Sequence, residues 1–181
     1  MRGISVRAVS LFLLGASLVL GSAVEVTAKE KVYEPPYKEG PSGGDEWNYI
    51  SADPNSGEMS IYRLFPGFSP VVGCAPEPSA GWAMFRIEHK AVAPLREVSV
   101  NFEARLDPYA WMTLGVRKQS KDWIGVAKLQ GPHNGSGRLK LRLPRQVRVG
   151  EEVEIEFGLQ LGDACPQVGH AHATFEAVTV K

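Results

Sequence analysis

The chain has little cysteine, no net charge and no long apolar run. It has 181 residues with two cysteines, so a core of this size has to be held mainly by packing. Basic and acidic residues number 20 each, so the chain as a whole has no general attraction for nucleic acid or an anionic membrane. An apolar share of 44% is nevertheless typical of a globular protein.

The apolar run at the N-terminus is too short to cross a membrane. It covers 13 residues, from Ala8 to Leu20, whereas a spanning helix needs about 20. Two arginines precede it, which is typical of a secretory signal peptide, and small residues place cleavage after Ala28 or, alternatively, Ala23. We expect residues 1–28 to be removed and the protein to be secreted, extracellular, periplasmic or on the cell surface, without a later membrane span. An uncleaved anchor is the alternative.

Export changes the interpretation of the two cysteines. In an oxidising compartment Cys74 and Cys165 are expected to form one disulfide. The loop would close about 90 residues, for which the chain-entropy relation gives about 4–5 kcal/mol. Two separate buried thiols are the alternative.

Residues 29–58 contain eight prolines and glycines. This density predicts a loop or tail rather than a packed element. Its aromatic residues, which would pin its second half across the domain, are Tyr33, Tyr37, Trp47 and Tyr49.

From residue 59 to residue 181, apolar and polar residues alternate with a period of two. Such alternation predicts half-buried strands with one polar face. About eight short strands separated by turns indicate an all-β domain, a two-sheet antiparallel β-sandwich of the jelly-roll type. The predicted strands are Met59–Phe65, Trp82–His89, Val98–Leu106, Tyr109–Lys118, Trp123–Leu129, Leu139–Leu143, Val153–Leu161 and His170–Val180.

The last two strands resemble a known family. Residues 149–157 (VGEEVEIEF) and 173–180 (ATFEAVTV) are similar to the closing strands of carbohydrate-binding, galactose-binding-like jelly rolls. There, a G-x-x-v-x-i-x-f strand precedes an a-x-f-D-x-v-x-v strand. The resemblance implies the jelly-roll fold and a carbohydrate ligand.

Two tryptophans are the strongest candidates for ligand contact. The core side of 109–118 is taken by the alternate apolar set, which leaves Trp111 on the open face, where an exposed indole suits stacking. Trp123 is expected to share its face with the small residues Gly125 and Ala127, beside a shallow groove. The alternative is that loops or the N-terminal segment cover both indoles. The predicted ligand-binding residues are Trp111, Trp123, Tyr109 and Arg117.

His170 and His172 lie two apart on a predicted strand, so both imidazoles point to one face. They provide half of a zinc or copper site. A third ligand, His89 or Glu88, would have to come from the fold. Solvated histidines are the alternative interpretation.

A calcium site is the other metal hypothesis. Jelly rolls of the kind resembled often hold a structural calcium between the early chain and the closing strand, and the resemblance implies oxygen ligands from Asp53, Asn55, Glu58 and Glu176. Glu176 stands where the family pattern has Asp. An ordinary turn at 53–58 is the alternative.

Charged residues form two stripes of opposite sign, and cross-strand ion pairs between them are expected. The acidic stripe is Glu152, Glu154 and Glu156, and the basic stripe is Arg138, Lys140 and Arg142.

No catalytic constellation is found, since Gly40-Pro41-Ser42-Gly43-Gly44 does not complete a nucleophile motif. The sequence therefore favours a secreted, non-catalytic module that binds an extracellular glycan at an exposed aromatic face. Two alternatives are a structural or adhesion protein of the cell exterior, which meets a protein surface, and a small secreted metal protein or enzyme that uses the His-x-His pair.

Overall fold

The computed structural model describes residues 30–44, 48–64, 81–118, 122–162 and 168–181. Within these ranges the chain forms strands and no helix, so none of them includes a helix able to cross a bilayer. The strands are β1 (Lys31–Tyr33), β2 (Lys38–Gly43), β3 (Asn48–Asp53), β4 (Glu58–Leu64), β5 (Gly81–Lys90), β6 (Leu95–Leu106), β7 (Ala110–Lys118), β8 (Trp123–Gln130), β9 (His133–Val147), β10 (Glu152–Leu161) and β11 (Val168–Val180).

The strands form two antiparallel sheets packed face to face. The six-stranded sheet has the order β3-β4-β11-β6-β9, with β1 pairing to the end of β11, and the five-stranded sheet has the order β2-β5-β10-β7-β8. The strands from β4 onward follow a jelly-roll order, β4-β11-β6-β9 over β5-β10-β7-β8. The predicted β-sandwich is therefore confirmed, and each of the eight predicted strands matches one of β4 to β11.

The N-terminal segment differs from the prediction of a loop or tail. It contributes β1, β2 and β3, which pair with β11, β5 and β4. Proline is tolerated because β2 is an edge strand, and its register shifts between Glu39 and Ser42, around Pro41. Tyr49 is 62% exposed and does not pin the segment, while Trp47 and the two cysteines lie outside the described residues.

Four aromatic side chains form the centre of the core between the sheets. Phe157 lies 5.0 Å from Tyr37, 5.1 Å from Phe175 and 6.0 Å from Phe85, measured between ring centroids. Tyr37 is 7% exposed, and its hydroxyl donates to the main-chain carbonyl of Phe175 at 3.4 Å. Burial raises the pKa of this hydroxyl, with a smaller contribution from nearby carboxylates. The segment before β2 is thus part of the core.

A hydrogen bond between two side chains connects β1 to the other sheet. The Tyr33 hydroxyl lies 2.7 Å from Nδ1 of His89, whose side chain is buried at the end of β5. Burial lowers the pKa of His89, and the positive charge of Lys31 lowers it further. The neutral imidazole is therefore the form that the folded protein favours.

The lowered pKa of His89 predicts a loss of stability in mild acid. Below the usual His pKa of 6.5, His89 is protonated in the unfolded chain but still neutral in the folded chain. The free energy of unfolding should then fall as the pH drops, by up to about 1.4 kcal/mol per pH unit. The fall should begin below pH 6.5 and end once the folded form also protonates. Urea unfolding between pH 7.5 and pH 5 measures it.

The matched comparison is His89→Gln, which removes the titrating group and keeps a polar side chain. The difference between the two pH profiles isolates His89 from the other three histidines. Parallel profiles for the two proteins would contradict the assignment.

Candidate functional site: the aromatic face

The outward surface of the five-stranded sheet carries three tryptophans, and we name it the aromatic face. In the register of β5, β10 and β7, Trp82 and Trp111 both lie opposite Gln160. The two tryptophans therefore stand in one row across the sheet, two strand spacings or about 10 Å apart at their Cα atoms. Trp82, which lies at the start of a predicted strand, was not among the predicted site residues.

Glycines provide the space in which these two indoles lie. A Cβ on Gly43 would fall 2.6 Å from the Trp82 ring, and a Cβ on Gly162 would fall 2.5 Å from the Trp111 ring. The Trp111 indole nitrogen donates to the Gln160 side-chain oxygen, and Lys128 Nζ lies 5.5 Å from the Trp111 ring centroid. Both rings are thus held by the protein, and Trp82 remains 38% exposed.

Trp123 lies on the same face, further along the strands. It pairs with Arg117, and the register shifts between Val116 and Arg117 because Ile124 turns inward. A Cβ on Gly115 would fall 2.3 Å from the Trp123 ring, so the indole lies across that glycine and is 46% exposed.

The same bulge corrects one prediction about this face. Gly125 lies opposite the buried Val116, and Ala127 lies opposite the buried Leu114. Both small residues therefore face the other sheet and not the surface beside Trp123. An alternation count across a bulge assigns the wrong side because one residue is added to one strand only.

A charged network lies beside Trp123 on this face. Glu156 is 2% exposed, and its Oε1 accepts from Arg117 Nη2 at 2.6 Å and lies 3.3 Å from Arg86 Nε. Arg117 Nε also donates to Glu154 at 2.7 Å, and the guanidinium lies 5.6 Å from the Trp123 ring centroid. Arg117 therefore contacts both carboxylates and lies beside the Trp123 ring, and its predicted contact with ligand stays a prediction.

The ion pairs expected between the two charged stripes are absent from the described residues. The basic stripe lies on β9, in the other sheet, and its partners there are Glu97 and Asn101. Alternation predicted which side chains face water, but the partners depend on which strands become neighbours.

One row of residues separates the Trp82–Trp111 row from the part of the face that carries Trp123. Its members Met84, Gly158 and Thr113 lie opposite one another on neighbouring strands. Thr113 is 5% exposed, and its hydroxyl has no hydrogen-bond partner among the described residues. Tyr109, 49% exposed, lies in the turn before β7.

The His-x-His pair lies on the outward surface of the other sheet. The rings of His170 and His172 are nearly parallel with centroids 6.3 Å apart, and Glu58 Oε1 lies 3.9 Å from His172 Nδ1. The third ligands considered are elsewhere, since His89 is bonded to Tyr33 and Glu88 is paired with Lys38 in the five-stranded sheet.

The predicted calcium ligands do not gather into one group. Both Asp53 carboxylate oxygens accept hydrogen bonds within their own turn, from Asn55 N at 3.0 Å and Ser56 Oγ at 2.9 Å, and these bonds lower the Asp53 pKa. In the described part of the chain, no three His, Cys, Asp or Glu side chains are placed to hold a metal ion. Calcium requires six to eight oxygens, so Asp53, Asn55, Glu58 and Glu176 would need further oxygen ligands, and the calcium site stays a prediction.

Comparison with known proteins yields similarity in structure but not in sequence. No protein-family profile and no curated protein matches the chain. The carbohydrate-binding module CBM36 in complex with calcium and xylotriose is 10% identical, with 83% of this chain and 99% of that chain covered and a TM-score of 0.41. CsCBM6-3 from Clostridium stercorarium in complex with cellobiose is 11% identical, with 81% and 92% covered and a TM-score of 0.38. The resemblance to carbohydrate-binding modules that the closing strands predicted is confirmed as one of fold.

Proposed function

We propose that this protein is a secreted, non-catalytic binding module that holds a carbohydrate on the aromatic face. The observation that carries the proposal is the row Trp82–Gln160–Trp111, with Trp123 on the same surface. An exposed indole on a sheet surface leaves apolar area in water, and both Trp82 and Trp123 are exposed on this face, which suits a ligand. The N-terminal apolar run supports export.

The chemistry of the face fits a sugar. A pyranose ring has an apolar C–H face that stacks on an indole, and hydroxyl groups at its edge that need polar partners. Gln160 lies between the two stacking rings, and the buried Thr113 hydroxyl in the next row lacks a partner among the described residues. The face therefore alternates stacking surface with hydrogen-bonding groups.

Anchoring of the rings favours binding over accidental exposure. Trp111 is held by Gln160, and Trp123 is held between Gly115 and the Arg117 guanidinium. Rings fixed in advance lose little side-chain entropy when a ligand arrives.

Removing the exposed indoles should abolish binding of the cognate glycan. We expect Trp82→Ala and Trp123→Ala each to weaken binding by about 2 kcal/mol, roughly thirtyfold. Pull-down with insoluble polysaccharides and a glycan array identify the ligand, and calorimetry measures the change. Both side chains are partly exposed, so the fold should survive, and circular dichroism checks this.

The matched control is Tyr49→Ala, because Tyr49 is 62% exposed but lies in the other sheet. Its affinity should equal that of the unchanged protein. Unchanged glycan affinity in both Trp82→Ala and Trp123→Ala would contradict the proposal. A concentration-dependent rise in mass without any glycan binding would instead support the adhesion alternative.

A further inference from the structure

Positive charge is concentrated on one edge strand. Residues 138–148 contain five basic side chains and no acidic one, whereas in the rest of residues 29–181 acidic residues outnumber basic ones by six. All five are exposed on or just after β9, the outer strand of the six-stranded sheet. The near-zero total charge therefore hides a strong separation of charge. The five residues are Arg138, Lys140, Arg142, Arg145 and Arg148.

Two neighbouring cavities follow this strand. One, of about 450 Å³, is lined by Arg96, Arg142 and Gln146 among others. The second, of about 360 Å³, also includes Gln146 and is lined by Lys118 and Arg148. Both cavities include Gln146, and we name the surface that they line the basic groove. Two carboxylates line the groove as well, Glu97 and Glu151.

Protection of a sheet edge does not by itself explain this charge. One or two lysines, or a proline such as Pro144, suffice to discourage edge-to-edge pairing. Alternate cations on one face of a strand stand about 7 Å apart and repel each other. Glu97 pairs with Lys140 and Arg142, at 3.2 and 3.4 Å, and Glu151 lies beside Arg148. The five cations of 138–148 thus outnumber these two carboxylates, which leaves an excess of positive charge along the strand.

We infer that the basic groove is a second binding site, for an acidic polysaccharide. A linear polymer with regularly spaced carboxylates or sulfates matches cations set along an extended strand. Residues 134–148 contain no aromatic residue on which a nucleobase would stack. Leu139 and Leu141 between the cations are buried in the core, so the strand has no apolar row to enter a bilayer.

The groove is separate from the aromatic face but reaches its border. Its lining residues Lys118 and Ile124 follow Arg117 and Trp123 directly in the chain. The residues that line the groove do not include Trp82, Trp111 or Trp123, so the two sites can be tested independently.

The test measures binding to polygalacturonate and dextran sulfate against neutral dextran. Wild-type affinity for the acidic polymers should fall about tenfold or more between ~50 and ~200 mM NaCl, since bound cations displace counterions. The triple variant Arg142→Gln, Arg145→Gln, Arg148→Gln should bind about tenfold more weakly at low salt and show a shallower salt dependence. The same three positions changed to Lys should bind like wild type, because lysine keeps the positive charge that glutamine removes.

A matched triple variant removes three exposed cations elsewhere: Lys38→Gln, Lys90→Gln and Arg105→Gln. It should bind like wild type, and an equal loss in both triple variants overturns the inference. The inference is also overturned if the protein binds phosphatidylserine vesicles or duplex DNA as tightly as the acidic polysaccharides, or more tightly. Trp82→Ala and Trp123→Ala should keep acidic-polymer binding, which separates failure here from failure of the proposed function.

Discussion

Phe157→Ala is expected to lower the free energy of unfolding by about 3–5 kcal/mol and the melting temperature by roughly 10 °C. Phe157 is fully buried and contacts three other aromatic rings, which belong to Tyr37, Phe85 and Phe175. Its removal leaves a cavity at the centre of the sandwich that the two sheets, braced by their own hydrogen bonds, cannot close. Urea unfolding followed by tryptophan fluorescence measures the change.

Two variants show whether size is the cause. Phe157→Leu keeps most of the volume and should lose no more than about 1.5 kcal/mol. Tyr49→Ala removes an aromatic ring that is 62% exposed and should change stability little. A Phe157→Ala protein as stable as the Tyr49→Ala protein would mean that these rings are not the core.

Glu156→Ala is expected to lower the free energy of unfolding by about 3 kcal/mol, near the low end for a broken buried ion pair. Removing the carboxylate leaves Arg86 and Arg117 facing each other with only Glu154 as a shared partner. The two arginine side chains keep 29% and 23% of their exposure. Water at these guanidinium groups therefore limits the loss.

Glu156→Gln separates charge from shape, because the amide keeps an oxygen for Arg117 but not the charge. Its loss should be about half as large. Glu88, whose exposed carboxylate pairs with Lys38 on the same sheet, is the matched control, and Glu88→Ala should change stability little. An equal loss of unfolding free energy in Glu156→Ala and Glu88→Ala would show that burial of the Glu156 carboxylate does not contribute to stability. Loss of Glu156 should also weaken glycan binding, since Arg117 would lose one of the two carboxylates that hold it beside Trp123.

Prediction from the sequence succeeded where the signal is local. The alternation in 153–161 correctly assigned the inward residues, because side chains of a strand point to opposite faces at every second residue. It also correctly assigned Trp111 to the outward face. It failed at residues 29–58, where turn-forming residues concealed three strands, since edge strands accept proline and glycine.

The alternation alone determined an all-β sandwich, its eight main strands and the outward position of the charged residues in 138–142 and 152–156. Tertiary structure alone decided that Trp82 joins Trp111 across Gln160, that Glu156 pairs with Arg86 and Arg117, and that the basic strand lies in the other sheet. The reason is physical. The face of a side chain depends on its own strand, but its neighbours depend on register and strand order, which link residues far apart in the chain. The zero net charge of the sequence therefore conceals a network of ion pairs beside Trp123 and an excess of positive charge on β9.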